Sequence, residues 1–302
     1  MYDLIIIGAG PAGMSAAIYA MRARLNTLVI EQAGVGGQVL STYEVDNYPG
    51  LPGISGFDLS DQMSAHARKL GAKIISEVVS QVIWTKEQKS VQTENGSYDT
   101  KTLLIATGAH HAMLGLPSEE KLSGMGVSYC ATCDGAFYRN REVAVVGGGD
   151  VALEDAIFLA RGCKKVYVIH RRDEFRGAKV LQEALMALPN VEVIWNSVVK
   201  EILGEEEVEG IEIEDVRSTE QRKLDIDGIF IAVGIHPQTD LFRQVAECDK
   251  LGYLIAGEDG RTSTPGIFVA GDARTKPLRQ IVTAVADGAN AITSIQEYLL
   301  QK

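Results

Sequence analysis

The sequence has few basic residues, few cysteines and no long apolar run near its beginning, and each shortage argues against a class of protein. Lysine and arginine number 29 against 40 aspartate and glutamate residues, which gives a net charge of −11. A nucleic-acid groove needs a basic stripe, so we expect no nucleic-acid partner. A chain of 302 residues with 46% hydrophobic residues instead favours one or two ordinary domains that bind small molecules or proteins.

The four cysteines are too few to form a disulfide framework in so long a chain. Cys130 and Cys133 form a CxxC pair, while Cys163 and Cys248 stand alone. The first residues include neither a basic segment nor an apolar run long enough for a signal peptide or a membrane span. We therefore expect a cytoplasmic protein without membrane association, in which the CxxC pair indicates redox chemistry or metal binding.

Two glycine-rich turns follow apolar, β-branched runs and predict two nucleotide-binding βαβ units. The first turn, GAGPAG at 8–13, opens a helical stretch, and the next strand ends at Glu31. The second turn, GGGDVA at 147–152, is followed in the same way by a strand and then His170. The offset from the first glycine to the residue after the second strand is 23 in both units. In this context such glycines let a pyrophosphate approach the backbone at the helix N-terminus.

The residues at the two corresponding positions predict different nucleotides. Glu31 can accept hydrogen bonds from a ribose hydroxyl, whereas His170 is followed by Arg171 and Arg172, with Arg176 four residues further on. A carboxylate repels a 2′-phosphate, while guanidinium groups bind it through paired hydrogen bonds. The change of sign therefore favours NADP over NAD in the second unit, and a solvated basic patch is the alternative interpretation.

The remaining strands predict how the two units are connected. Two further apolar runs end in turns at Thr107-Gly108 and Gly271-Asp272, and a long helix is predicted from Ile281 to Leu300. The simplest layout is an α/β fold with two Rossmann-like dinucleotide-binding domains, the second inserted into the first. We expect residues 1–113 and 243–302 to form one discontinuous domain, and residues 114–242 to form the inserted domain with the CxxC pair.

The CxxC pair reads Cys130-Ala131-Thr132-Cys133 and lies between the two predicted turns. This spacing lets two thiols close a small ring and lowers the pKa of one of them. A structural zinc site at the CxxC pair would need four protein ligands, and the sequence has neither a second CxxC pair nor a paired His–Cys cluster, so we expect no metal site. Asp134, which follows directly, is either a proton donor to a leaving thiolate or an ordinary turn aspartate before Gly135.

These motifs occur in a fixed order together with GGQ at 36–38, EVDNYPG at 44–50, ATG at 106–108, HRRDEFR at 170–176 and AGD at 270–272. Over essentially its whole length the chain resembles the bacterial-type, low-molecular-weight thioredoxin reductases. The resemblance implies a homodimer that contains FAD and uses NADPH. It also implies that electrons pass from NADPH to FAD, then to the Cys130–Cys133 disulfide, and finally to thioredoxin or a thioredoxin-like protein.

The resemblance also assigns roles to individual residues. It implies that Cys133 lies beside the flavin, that Cys130 attacks thioredoxin and that Asp134 is the acid. The positions predicted to hold FAD are Gly8, Gly10, Pro11, Ala12, Gly13, Glu31, Gln32, Gly36, Gly37, Gln38, Asn47, Ala106, Thr107, Gly108, Gly271, Asp272, Arg279, Gln280 and Ile281. The positions predicted to hold NADPH are Gly147, Gly149, Asp150, Ala152, His170, Arg171, Arg172 and Arg176.

Two absences argue against a related class, the larger glutathione reductase-like flavoenzymes. Those enzymes have a CxxxxC motif after the first turn and a catalytic histidine near the end, but here no cysteine precedes Cys130 and no histidine follows His236. Three alternatives on the same scaffold stay open: a ferredoxin-dependent disulfide reductase, an oxygen-dependent dithiol oxidase and a non-catalytic flavin redox sensor. The intact GxGxxA turn and the HRRxxxR motif count against the first two.

Overall fold

The computed structural model of the chain describes residues 1–42 and 44–301. The chain folds into two compact units, Met1–His110 with His236–Lys302 as the first and His111–Ile235 as the second. The second unit is thus inserted into the first, and both have the α/β character predicted from the sequence. Within the described residues, none of the helices combines the length and the apolar character that a membrane crossing requires.

Strands and helices alternate along much of the chain, as expected for parallel sheets covered by helices. The strands are β1 (Tyr2–Ile7), β2 (Thr27–Glu31), β3 (Lys73–Ser76), β4 (Val79–Trp84), β5 (Lys89–Thr93), β6 (Gly96–Ile105), β7 (Ala109–His111), β8 (Val127–Ser128), β9 (Glu142–Gly147), β10 (Lys165–Ile169), β11 (Val191–Ile194), β12 (Ser197–Leu203), β13 (Gly210–Asp215), β14 (Gln221–Asp225), β15 (Gly228–Ala232), β16 (Ile235–Pro237) and β17 (Ile267–Val269). The α-helices are α1 (Pro11–Arg22), α2 (Gly56–Lys69), α3 (Pro117–Lys121), α4 (Ala131–Asp134), α5 (Asp150–Ala160), α6 (Lys179–Met186) and α7 (Ile281–Leu300).

The first unit is built on a parallel sheet in the order β3-β2-β1-β6-β17. The long strand β6 also continues into an antiparallel meander with β5 and β4. Leu4 and Ile6 of the central strand β1 point into a core shared with α1 and α7, and Ile5 and Ile7 point into a second core on the opposite face. Because both faces are covered, β1 reads as a continuous apolar run instead of an alternating one.

The second unit repeats this plan with the parallel order β11-β10-β9-β15-β8 and a separate antiparallel sheet of β12, β13 and β14. Strands β9, β10 and β11 take the places that β1, β2 and β3 have in the first unit. The fifth parallel strand differs in its place along the chain. In the first unit this strand is β17, which comes near the end of the chain. In the second unit it is β8, which precedes the second glycine turn and leads directly into the CxxC pair.

The two segments where the chain crosses between the units, β7 and β16, pair in a two-stranded sheet that we call the crossing ribbon. Residues 236–242 belong to the first unit, whereas the sequence analysis expected the inserted domain to extend to residue 242. The reason is tertiary, because Phe242 is buried in the core with Val82 and Val91. At the other crossing, residues 111–113 belong to the second unit, although they were expected in the first domain, and the backbone N–H of Ala112 donates to the carbonyl of Gly234 in that unit.

Candidate active site

The first glycine turn joins β1 to α1 and is shaped by close packing. Gly8 has φ of +102°, and a Cβ atom there would overlap the carbonyl oxygen of Ala106. A Cβ on Gly13 would overlap the carbonyl oxygen of Gly8, so both positions require glycine. Gly10, the N-cap of α1, has only the Gly36 carbonyl oxygen near its Cβ position, at 3.9 Å. The turn is therefore closed against the protein and open at the helix N-terminus, where a phosphate would bind.

The carboxylate of Glu31 lies at this turn, at the end of β2. Its Oε2 accepts a hydrogen bond from the backbone N–H of Ala9 at 2.7 Å, and its Oε1 accepts one from Ala33 at 2.9 Å. A carboxylate has about four lone-pair positions, so two backbone bonds leave room for ribose hydroxyl groups. The neighbouring Gln32 is exposed. The structure thus places Glu31 where the sequence spacing predicts the ribose to be held.

The GGQ segment lies against the same turn. The backbone N–H of Gly36 donates to the carbonyl of Ala9 at 2.9 Å, and the Cβ position of Gly37 is 3.4 Å from the Cα atom of Gly10. Gly36 itself has φ of +125°, and a Cβ there would overlap the hydroxyl of Ser60. That hydroxyl is buried and has no hydrogen-bond partner among the described residues. A buried polar atom without a partner is costly, so a ligand that offered this hydroxyl a hydrogen bond would remove that cost.

A third segment of the turn region comes from β6. The backbone N–H of Ala106 donates to Ile7 at 2.8 Å, which places the ATG segment directly beside the first turn. The hydroxyl of Thr107 donates to the carbonyl of Gln238 at 2.6 Å. Gly108 has φ of +70° and no heavy atom within 4 Å of its Cβ position. The segment is therefore anchored on one side and leaves open space at Gly108.

The last segment predicted to hold FAD joins β17 to α7. Asp272 Oδ1 and Arg279 Nε are both buried without a hydrogen-bond partner in the described part of the chain. Burial raises the pKa of Asp272, although Lys276 and Arg279 act against that shift. The side-chain amide of Asn47 donates to Gln280 Oε1 at 3.0 Å, which brings two more of the predicted residues together at the start of α7. These unpartnered atoms fit a large polar ligand such as FAD.

The buried carboxylate of Asp287 on α7, which was not predicted from the sequence, holds this segment in place. It accepts hydrogen bonds from the backbone N–H of Gly271 at 3.0 Å, from Arg274 at 2.9 and 2.7 Å, and from Lys276 at 2.8 Å. Burial opposes its ionisation, but Arg274 and Lys276 outweigh burial and lower the pKa of Asp287. The sequence signal that could have indicated it is an acid among the small and apolar residues 284–289 of the predicted helix.

In the second unit the glycine turn joins β9 to α5 in the same way. Gly147 has φ of +156°, and a Cβ there would lie 2.5 Å from the carbonyl oxygen of Ala232 and 2.6 Å from Cβ of Ala152. Gly149, the N-cap of α5, has no heavy atom within 4 Å of its Cβ position. The carboxylate of Asp150 accepts a hydrogen bond from the backbone of Ala178 at 2.7 Å. The turn is thus packed at its first glycine and open at the helix N-terminus.

The structure separates His170 from the three arginines predicted to share its role. The imidazole is only 5% exposed, fills the space beside Gly148, and places its Nε2 3.0 Å from the carbonyl oxygen of Glu174. Burial lowers the pKa of His170 and so favours the neutral ring. We propose that His170 supports the turn and does not bind phosphate itself. The arginine side chains at 171, 172 and 176 are exposed.

The CxxC pair forms a disulfide between Cys130 and Cys133, with the two Cα atoms 5.3 Å apart. The pair begins two residues after β8, at the carboxyl edge of the parallel sheet that also supports the second glycine turn. Ala131 is fully buried and anchors the short helix α4. Gly135 approaches α5 closely, because a Cβ there would lie 3.0 to 3.1 Å from Leu159 and Phe158. The disulfide segment therefore packs against the nucleotide-binding helix of its own unit.

Asp134 is tied to the disulfide segment through a second residue that the sequence analysis missed. The hydroxyl of Ser128 donates a hydrogen bond to Asp134 Oδ2 at 2.6 Å and accepts one from the backbone N–H of Cys130 at 3.1 Å. Burial raises the pKa of Asp134, although the Ser128 hydrogen bond acts against that shift. A buried carboxyl group with a raised pKa, adjacent to Cys133, has the properties of a proton donor to a thiolate.

Helix α5 also contains a partly buried acid, Asp155, whose raised pKa predicts how the stability of the protein depends on pH. Burial, with a smaller contribution from Glu154, raises the pKa of Asp155 to about 7. The unfolded chain ionises such a group near pH ~4, so stability is lost as pH rises from about 4 to 7 and stays lost above. Asp155→Asn should therefore increase the free energy of unfolding by roughly 2 kcal/mol more at about pH 8 than at about pH 5.

Denaturant unfolding at both pH values measures this difference. Glu154→Gln is the matched control, because it removes an exposed neighbouring charge and should give a smaller pH-dependent change in the same direction. An Asp155→Asn effect of equal size at both pH values would contradict the shifted pKa.

Comparison with known proteins identifies the family. The sequence profile of the pyridine nucleotide-disulphide oxidoreductases matches residues 2–288. The chain belongs to this family. It is 47% identical to thioredoxin reductase of Listeria monocytogenes, over 99% of this chain and 94% of that protein. It is 43% identical to thioredoxin reductase of Bacillus subtilis, over 99% of this chain and 95% of that protein.

A solved structure agrees with these relatives. The thioredoxin reductase of Streptococcus pyogenes is 46% identical and superimposes with a TM-score of 0.96, over 100% of this chain and 99% of that chain. The predicted family and α/β fold are confirmed. The class of enzyme, an NADPH-dependent flavoprotein oxidoreductase with FAD as cofactor, is also confirmed.

Proposed function

We propose that this enzyme reduces the disulfide of thioredoxin or a thioredoxin-like protein with electrons from NADPH. The observation that carries the proposal is the Cys130–Cys133 disulfide, which lies at the same sheet edge as an intact nucleotide turn in the second unit. The full-length similarity to thioredoxin reductases supports the choice of acceptor. A homodimer and a cytoplasmic location belong to the same proposal, and sedimentation of the purified protein measures the oligomeric state.

The first unit would hold FAD, which when bound supplies two-electron chemistry between a hydride donor and a disulfide. Glu31 would bind the ribose, and the open N-terminus of α1 would receive the pyrophosphate. The unpartnered atoms of Ser60, Asp272 and Arg279 would complete the polar contacts. Asp287 holds the Asp272 turn in place through the backbone of Gly271.

In the second unit, the open N-terminus of α5 would receive the NADPH pyrophosphate, and Arg171 and Arg172 would bind the 2′-phosphate. Their guanidinium groups are exposed and therefore accessible to a phosphate. Arg176 is tied to the turn, since its backbone N–H donates to the Gly148 carbonyl at 2.8 Å.

The thiol chemistry follows from the CxxC pair and Asp134. After reduction, the Cys130 thiolate attacks one sulfur of the acceptor disulfide, so that a mixed disulfide forms and the other acceptor sulfur leaves as a thiolate. Cys133 then attacks Cys130, which restores the internal disulfide and releases the second acceptor sulfur. Asp134 donates a proton to a leaving thiolate, and its raised pKa keeps that proton available at higher pH than for an ordinary aspartate. The net change is two electrons from NADPH and two protons on the acceptor.

The test is NADPH oxidation by the purified holoenzyme with oxidised thioredoxin as the acceptor. Glutathione disulfide and lipoamide at equal disulfide concentration are the matched comparisons, and oxygen alone is the blank. We expect rapid turnover with thioredoxin only. Turnover with oxygen alone would favour a dithiol oxidase, and disulfide reduction by reduced ferredoxin but not by NADPH would favour a ferredoxin-dependent enzyme. Reduction without catalytic turnover would favour a redox sensor.

The unpartnered Oδ1 atom of Asp272 gives a prediction for cofactor retention. Asp272→Ala removes a buried acceptor that has no partner in the described protein, and a hydrogen bond to a charged group contributes about 1.5–3 kcal/mol. We therefore expect FAD to bind about 10- to 100-fold more weakly, measured by titrating apoprotein with FAD and following fluorescence quenching. Asp259→Ala, which removes an acid paired with Arg261 elsewhere in the unit, should leave the affinity unchanged. Equal affinities for the two variants would contradict the assignment of Asp272.

A further inference from the structure

Two histidines face each other across the crossing ribbon formed by β7 and β16. The ring centroids of His110 and His236 are 5.6 Å apart, and the ring planes are inclined by 42°. Both side chains are exposed to solvent. The two residues are far apart in sequence, and backbone pairing of the two strands brings them together. The strands fix the two backbone positions. Binding of one ligand by both rings therefore costs only the rotational freedom of the two side chains.

The other three histidines are in different situations. His111 stacks on Tyr129 at 5.3 Å, and His170 is buried against Glu174 and Phe175. His66 is exposed on helix α2 and serves as the natural control for a single surface imidazole. His110 and His236 therefore differ from the other three histidines, because each is exposed and also lies next to a second imidazole.

We propose that His110 and His236 form a binding site for a divalent transition-metal ion of the Zn²⁺ or Ni²⁺ class. Imidazole nitrogen suits these ions, and typical metal–nitrogen distances are about 2.0–2.1 Å. Two imidazoles bound at a tetrahedral angle have ring centroids about 5.2 Å apart when those distances apply. The observed separation of 5.6 Å is close to this value, and rotation of the two exposed side chains would turn one nitrogen of each ring toward a shared ion.

The surroundings favour a cation. The segments 104–116 and 229–240 contain no lysine or arginine, so no nearby basic residue in sequence repels the ion. The net charge of −11 attracts cations to the protein as a whole. In the described part of the chain no group of three or more histidine, cysteine or acidic side chains forms a metal cluster, so water supplies the remaining ligands. The site is therefore a two-ligand, exchangeable one and differs from a buried structural zinc site.

Calorimetric titration of Zn²⁺ into the oxidised holoenzyme near neutral pH tests the proposal. The disulfide keeps the thiols of Cys130 and Cys133 from binding the ion, and a Cys248→Ser background removes the partly exposed free thiol. His110→Ala and His236→Ala should each weaken the tightest zinc site by about tenfold or more, because the second ligand of a chelate binds at high effective concentration. His66→Ala should change the affinity by less than about twofold.

Thermal unfolding provides the second measurement. Zinc at saturating concentration should raise the Tm of the parent and of His66→Ala, and this rise should be lost in His110→Ala and His236→Ala. All three positions are exposed, so the variants are expected to fold. The proposal is wrong if the parent binds no zinc, if the two ribbon variants bind zinc as the parent does, or if His66→Ala weakens binding equally.

Discussion

Serine in place of either cysteine of the CxxC pair is expected to abolish thioredoxin reduction, because each sulfur has a step that the other cannot perform. Cys133→Ser keeps Cys130, the thiol predicted to attack thioredoxin, but lacks the thiol that resolves the mixed disulfide. This variant should therefore accumulate a covalent complex with thioredoxin, visible on a non-reducing gel. Cys130→Ser should form no such complex. Turnover with NADPH and thioredoxin should fall to the blank rate in both variants.

Two other cysteines are available as controls. Burial raises the pKa of Cys163 to about 11, so its thiol is not ionised near neutral pH and Cys163→Ser should leave turnover intact. Cys248→Ser should do the same, since burial also raises the pKa of that thiol. A covalent complex that forms with Cys130→Ser but not with Cys133→Ser would exchange the two roles. Residual thioredoxin reduction by either CxxC variant would contradict the disulfide mechanism.

The second large effect is expected for coenzyme selection. Each charge-assisted contact to the 2′-phosphate contributes about 1.5–3 kcal/mol, so Arg171→Ala combined with Arg172→Ala should lower kcat/KM for NADPH by about 10²- to 10⁴-fold. The value for NADH should stay nearly constant, because NADH has no 2′-phosphate. Steady-state kinetics with both coenzymes and with thioredoxin as acceptor measure the ratio.

Arg222→Ala is a matched control, because it removes an exposed arginine from the antiparallel sheet of the same unit. It changes the net charge by one without touching the nucleotide turn, and the NADPH/NADH preference should be unchanged. His170→Ala is informative in addition. If the His170 ring supports the turn by packing against Gly148, its removal should reduce turnover with NADPH and NADH alike. An unchanged preference in the double arginine variant would contradict the assignment of the 2′-phosphate site.

The parts of the fold predicted from the sequence are those that short segments specify. The helix predicted at Ile281–Leu300 has these bounds in the structure, and the apolar run at Lys165–Ile169 is strand β10. Buried parallel strands are apolar on both faces, so they are visible as continuous runs. The antiparallel strands β12 to β14 carry several charges and have a less distinct pattern, and the bounds of the inserted unit depend on where Phe242 is buried.

The two glycine turns, and the preference for NADP at the second, could be predicted because the residues they require lie within 24 residues in the first unit (8–31) and within 30 in the second (147–176). Glycine is needed where a strand turns sharply into a helix, and the acid or arginines follow at a distance set by one helix and one strand. The CxxC disulfide is equally local, since only two residues lie between Cys130 and Cys133. Residue type and spacing therefore predicted two dinucleotide sites, with NADP favoured in the second, and a redox CxxC pair, whereas FAD was predicted from the resemblance to the thioredoxin reductases.

Contacts between distant segments were decided only by the tertiary structure. Asp287 holds the Gly271 turn from within α7, and His110 meets His236 across the crossing ribbon. The inward orientation of His170, next to outward arginines, likewise depends on which side chain the folded turn can bury. None of these pairs has a fixed spacing along the chain. Each is created when separate strands and helices pack, because burial and hydrogen bonding then select partners that sequence spacing does not specify.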